Sequence, residues 1–212
     1  MNIITKKVRL VPAPVRMTRV TINLEAPDSL VWGIKRLPLA TGSASATVDW
    51  GDGTSTEVTT ADPVTHAFAS PGTYEVCISD DIESCMFSKA SGSDDFSEIY
   101  AKRIVAFKTD AEKLTKFEPY CFRNCSNLTT VNCARSWITY LPLRAFDSCE
   151  QLAGRLDFPC VYLINPLTFK GALLINEVHF AKTNEAAITS SSGWESSNHT
   201  FGAVNATIFF DL

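Results

Sequence analysis

Seven cysteines, three histidines and a scattering of carboxylates are the side chains of this 212-residue sequence that could bind a metal, attack a carbonyl or move a proton. The cysteines (Cys77, Cys85, Cys121, Cys125, Cys133, Cys149 and Cys160) are odd in number, so a complete internal disulfide framework is impossible and at least one thiol stays free. No two have the C-x-x-C spacing, and His66, His179 and His199 are far apart, which leaves a structural zinc site without a ligand pattern. Free cysteine otherwise behaves as a small buried hydrophobe. The histidines lack the H-E-x-x-H spacing, and there is no G-x-S-x-G elbow, phosphate loop or G-x-G-x-x-G motif. Asp49 and Asp52 beside Thr54 offer oxygens to calcium, but such sites gather a denser array; the alternative is that Asp52 shapes a turn and Asp49 faces water. No catalytic, cofactor-binding or metal-ligating set is assigned, and the chain is read as non-enzymatic.

A net charge of −4 gives no support to phosphate-backbone binding, so no nucleic-acid partner is expected. No apolar run approaches the ~20 residues of a membrane-spanning helix, so membrane insertion is not expected either. Charge is unevenly spread: residues 1–20 hold five basic residues and no acid, whereas residues 25–88 hold two basic residues and ten acids. Residues 1–16, with Pro12 and Pro14, read as an extended N-terminal arm without the apolar core of a signal peptide.

The elements that would carry these residues change period along the chain. Arg16 to Leu24 alternates polar and apolar, as does Ala46 to Trp50, and both patterns predict strands with one wet face. Asp52-Gly53 interrupts the second run and predicts a tight hairpin whose returning strand is Thr54–Thr60. Pro71-Gly72 marks another turn, after which Tyr74, Val76 and Ile78 share a face. This half is expected to be a small antiparallel β-sandwich.

Val48-Asp-Trp50-Gly-Asp52-Gly53-Thr54, then His66-x-Phe68, then Pro71-Gly-Thr-Tyr74-x-Val76 resembles the PKD family of immunoglobulin-like sandwiches over residues 17–88. The resemblance implies a spacer or binding module with no catalytic residues. It places Trp50 in the core beside Phe68 and Tyr74, and makes His66 a hydrogen-bonded framework residue.

From about Ala101 the period lengthens. Phe122-x-x-Cys125-x-x-Leu128, Phe146-x-x-Cys149-x-x-Leu152 and Phe169-x-x-Ala172-x-x-Ile175 step by 24 and then 23 residues, the mark of a repeat array. One unit cannot bury its apolar edge alone. Stacking predicts one column of Phe122, Phe146 and Phe169, and another of Cys125, Cys149 and Ala172 where only small side chains fit. The pattern Ile138, Leu141, Ala145, Phe146, Cys149, Leu152, Leu156 and Pro159 resembles the BspA-type leucine-rich repeats. Residues 89–100 read as a linker and cap, with Phe96, Ile99 and Tyr100 opening the repeat half and Arg103–Phe107 its first strand; residues 101–212 are the repeats. An insertion lengthens one turn and carries Trp194 on a Ser-rich loop over 187–198, as a contact residue or as a cap over the open end. His179, on an alternating strand, is expected to be exposed and is a second candidate for interaction.

The expected fold is therefore mainly β in two domains, a PKD-like antiparallel β-sandwich followed by a leucine-rich-repeat solenoid with short parallel strands. Both resemblances imply bacteriophage or bacterial-surface proteins. The expectation is a phage or prophage structural protein, a tail or capsid decoration component, assembled in the bacterial cytoplasm with reduced thiols. Its partner would be a protein or glycan at a virion or cell surface, with a homo-oligomer left open. The alternative is a bacterial cell-surface adhesin domain binding a host protein or glycan.

Overall fold

The computed structural model describes residues 15–25, 30–88, 98–191 and 206–212. Across them the chain is mainly β, with two five-residue helices. The first half holds β1 (Met17–Leu24), β2 (Val31–Ile34), β3 (Ala46–Asp49), β4 (Ser55–Val58), β5 (Val64–Ala67), β6 (Gly72–Ser79) and β7 (Ser84–Cys85). Helix α1 (Glu98–Lys102) leads into β8 (Ile104–Thr109), β9 (Lys116–Phe117), β10 (Thr130–Asn132), β11 (Tyr140–Leu141), β12 (Ala153–Phe158), β13 (Leu163–Ile164) and β14 (Leu174–Phe180). Helix α2 (Glu185–Thr189) and β15 (Thr207–Phe210) follow.

Alternation in β1 buries Thr18, Val20, Ile22 and Leu24 and leaves the intervening residues half-buried. The one polar group on the inner face is satisfied, since the Thr18 and Thr109 hydroxyls are 2.9 Å apart. β1 pairs antiparallel with β6, and β6 with β3. β3 and β4 form the expected hairpin, closing at Asp49–Ser55. Its connection is a five-residue loop and not the tight turn anticipated, because Trp50 turns inward and its N–H bonds the Thr54 carbonyl at 3.0 Å. Gly51 and Gly53 both take positive φ, 77° and 90°. β2 pairs antiparallel with β5 as a separate two-stranded sheet.

The halves share hydrogen-bonded structure. β8 pairs antiparallel with β1 and parallel with β10, so Val20, Phe107 and Val131 lie side by side in one six-stranded sheet. β7, inside the stretch assigned to the sandwich, heads a second, all-parallel sheet in the order β7-β9-β11-β13. The third sheet, β12-β14-β15, is also parallel. One hydrophobic cluster runs from Val20 to Ile188, so the intended linker at 89–100 separates no two cores. Of its described residues, Tyr100 packs on that cluster and its carbonyl accepts the Trp32 indole N–H at 2.9 Å, whereas Ile99 is 55% exposed.

Between the parallel strands the turn segments stack by backbone hydrogen bonds. Phe122 N–H bonds the Ala145 carbonyl at 2.8 Å, and Phe146 N–H bonds the Thr168 carbonyl at 2.7 Å. Each segment holds two residues in the left-handed region, Tyr120, Arg144 and Leu167 at one position and Asn124, Ser148 and Gly171 at the other. These are 24 and then 23 residues apart, the same steps as the phenylalanines. A left-handed non-glycine residue costs about 1 kcal/mol, and the cross-segment bonds that this backbone makes offset it.

Candidate functional site

The residues singled out in the first half meet in one knot. Trp50 is fully buried, and its indole N–H donates to the Thr56 hydroxyl at 2.9 Å. The His66 ring lies flat on Trp50, centroids 4.9 Å apart, and edge-on to Phe68 at 4.6 Å; Tyr74 meets Phe68 at 4.4 Å. In the loop, Asp52 accepts from the Thr54 hydroxyl at 2.6 Å and from its N–H at 3.0 Å, while its other oxygen is 2.6 Å from His66 Nε2. The Thr54 hydroxyl and then His66 hold the Asp52 carboxyl down at about 2, against the opposing effect of burial. Asp52 does shape the turn, as Asp49 does by accepting the Gly51 N–H at 2.9 Å, and His66 is held in place by a carboxylate and two rings.

The second half brings its phenylalanines together as anticipated. Phe122, Phe146 and Phe169 stack with centroids 5.1 and 5.2 Å apart and planes within 8°. Two rings that sequence reasoning did not place there extend the column: Phe87 lies 5.3 Å from Phe122, and Trp32 6.3 Å from Phe87. The repeat spacing does not point to Phe87 because it stands only two positions after Cys85 of β7, whereas Phe122, Phe146 and Phe169 stand five positions after Phe117, Leu141 and Ile164. Cys125 and Cys149 are fully buried, with Ala172 at the corresponding place, and burial pushes both thiols far above their ordinary range. The Cys149 thiol points at the Phe122 carbonyl, 3.1 Å away. Such thiols are packing groups, not nucleophiles.

His179 departs from expectation: it is 3% exposed, not a surface residue. The pairing of β12 with β14 shifts register beside Asn176, which breaks the alternation and leaves Val178, His179 and Phe180 all buried. Phe209 from β15 stacks on the imidazole at 4.4 Å. His179 Nδ1 is 2.7 Å from Asp211 and Nε2 is 3.1 Å from Glu177. Carboxylates only accept, so satisfying both requires the doubly protonated ring. As an interaction residue His179 is withdrawn; it pins the last strand. Trp194, the other candidate, lies outside the described residues.

Among the described residues, two accessible hollows meet at Asp110 and Arg135. One, of about 340 Å³, is lined by Arg16, Asp110, Arg135, Ser136, Trp137 and Cys160. The other, of about 350 Å³, is lined by Lys108, Thr109, Asp110, Asn132, Ala134 and Arg135. Parallel pairing sets Asn132 beside Lys108, and Asp110 is held by the Met17 N–H at 3.0 Å with Arg19 at 3.7 Å. Trp137 is 49% exposed. Sequence reasoning passed over this group, although a signal was present: Trp137 stands one residue before the buried Ile138, where the neighbouring units have Lys113 before Leu114 and Cys160 before Val161. An indole is not required there for packing.

Among the described residues, no cluster of three or more His, Cys, Asp or Glu side chains is arranged to hold a metal ion, and no helix is long and apolar enough to cross a membrane. Comparison with protein-family models, curated proteins and solved structures found no match to this chain.

Proposed function

We propose that this chain is a non-enzymatic structural and interaction protein, a PKD-like sandwich continuous with BspA-type leucine-rich repeats, carried on a phage or prophage virion as a tail or capsid decoration component. The observation that carries this reading is the ring column from Trp32 through Phe87, Phe122 and Phe146 to Phe169, which crosses from one half to the other without a break. An interior of this kind couples the halves into one stiff body whose work is done by its surface. The reactive residue types support it too: His66 and His179 are each locked by carboxylates and rings, and five thiols are buried in packing positions. All seven thiols are free, the Cys85 and Cys121 sulfurs being hydrogen-bonded at 3.9 Å and not joined in a disulfide, which suits assembly in a reducing cytoplasm. Mass spectrometry of particles purified after prophage induction tests the proposal. The protein is expected in the particle fraction in stoichiometric amount; recovery only with the bacterial envelope would overturn it.

The second reading, a bacterial cell-surface adhesin domain, is favoured by one feature, the accessible hollow with the half-exposed Trp137. It requires that the isolated chain bind a host protein or glycan without help from a particle.

A further inference from the structure

We propose that the two adjoining hollows together bind an acidic saccharide, with the apolar face of a sugar ring on the Trp137 indole in one and its carboxylate on Arg135, which lines both, and Lys108, which lines the other. This rests on the reading of the chain as a surface-binding protein and names its ligand class. Trp137 occupies a repeat position that Lys113 and Cys160 fill in the adjoining units, as the cross-unit bonds Thr139 N–H to Thr115 carbonyl and Tyr162 N–H to Thr139 carbonyl establish, at 2.8 and 3.0 Å. A half-exposed indole there leaves an apolar plate open to solvent, and the C–H face of a pyranose packs on such a plate.

Around the plate the polar groups are of mixed kind. Arg135 and Lys108 are exposed, and no carboxylate among the described residues forms an ion pair with either. Arginine's planar fork takes a carboxylate through two parallel hydrogen bonds. Asn132 spends its amide oxygen on the Ala134 N–H at 3.3 Å, which leaves its NH2 group to donate. Ser136 is buried, lines the hollow, and its hydroxyl makes no hydrogen bond to a protein oxygen or nitrogen; its polar neighbour is the Cys133 thiol. Asp110 supplies an acceptor whose charge is already answered by the Met17 N–H and Arg19.

Sugar hydroxyls need donors and acceptors side by side, which this set provides. A nucleic acid would need a basic track continuing past the aromatic plate. Here the Asp110 carboxylate lines both hollows, Arg16 at the edge of one is paired with Glu112 at 2.5 Å, and the chain as a whole is acidic. Each hollow has the volume of one or two sugar rings, not of a strand.

The test is calorimetric titration of the full chain with four probes: a glucuronate-containing tetrasaccharide, a galacturonate tetramer, neutral chitotetraose and a ten-residue oligothymidylate. At least one acidic saccharide is expected to saturate below about 10 mM, to bind at least several-fold tighter than chitotetraose, and to weaken as salt is raised. Trp137→Ala and Arg135→Gln should each weaken it about ten-fold, as should Lys108→Glu, an independent variant on an exposed strand position. Melting curves of each variant establish that it is folded. No saturable binding by either acidic probe, binding unmoved by Trp137→Ala and Arg135→Gln, or tighter binding of the oligothymidylate would each overturn the proposal. If these fail while the protein is still found on particles, the ligand class falls and the virion reading stands.

Discussion

Phe87 donates its backbone N–H to the carbonyl of Cys121 at 3.0 Å, the bond that Phe122 makes to Ala145 and Phe146 makes to Thr168 in the units that follow. The stack of turns therefore begins inside the stretch that reads as a sandwich, and its first ring also packs on Trp32 of β2. The two halves should unfold together. Urea denaturation followed by tryptophan fluorescence and by far-ultraviolet circular dichroism should give coincident curves. Phe87→Ala should cost about 3–5 kcal/mol and shift both curves equally. Two separated transitions, with only one moved by the substitution, would show that the halves are independent.

The loop after β3 distinguishes two glycines of similar dihedral angle. A Cβ at Gly51 would come 2.5 Å from the Glu75 carbonyl oxygen, whereas at Gly53 it meets nothing within 4 Å. Gly53→Ala bears only the strain of positive φ, about 1 kcal/mol. Gly51→Ala must also displace backbone of β6 and should cost about 3 kcal/mol or more. Equilibrium unfolding of the two variants should separate them clearly; equal losses would mean that β6 does not approach the loop so closely.

Asp52 has a folded pKa of about 2 against an ordinary 3.8, owing to the Thr54 hydroxyl and then His66. A depressed carboxyl contributes stability that is present above its unfolded pKa and lost as pH falls through the folded one. Wild-type stability should therefore drop between about pH 4 and pH 2 more steeply than that of Asp52→Asn. At neutral pH the variant should be less stable by about 1 kcal/mol, after allowance for solvent screening at the partly exposed loop. Parallel acid titrations monitored by thermal melting provide the check.

His179 carries the opposite sign. Burial disfavours its charged form, but the hydrogen bonds to Asp211 and Glu177 outweigh that cost, and Arg155, itself tied to Asp157 at 2.7 Å, opposes them weakly; the net direction is upward. A raised imidazole contributes stability that is full below its unfolded value near 6.5 and is lost as pH rises through the folded value. His179→Gln should lower the melting temperature more at about pH 6 than at about pH 9. A two-dimensional NMR titration should find the ring still protonated when a free imidazole has lost its proton. A deficit that is independent of pH would mean that only the stacking on Phe209 matters.

Thiol accessibility offers a fifth prediction. Only Cys77 and Cys160 are half-buried, and burial raises both; Cys85, Cys121, Cys125, Cys133 and Cys149 are buried outright. Mass spectrometry after brief treatment with iodoacetamide should find at most two adducts on the native protein and seven in denaturant. Rapid native labelling of Cys125 or Cys149 would contradict their place in the stack.

The spacing of Phe122, Phe146 and Phe169 by itself determined that three rings would lie on one another. In a parallel stack each unit repeats the backbone of the last, so equal steps along the chain become equal positions in space. The alternation of β1 was legible too, since a strand's inner face can be read two residues at a time, whereas the burial of Trp50 was what the resemblance to the PKD family implied. Only the tertiary structure decided that Phe87 joins the column, that β8 is shared by both halves, and that His179 is buried. His179 is enclosed by Phe209 and Asp211, which lie about thirty residues further on, beyond an insertion that erases the period. The two adjoining hollows at Trp137 and Lys108 are assembled from residues 16, 108–110, 132, 134–137 and 160. No local pattern encodes their meeting, because it depends on where the first strand of one half hydrogen-bonds to the first strand of the other.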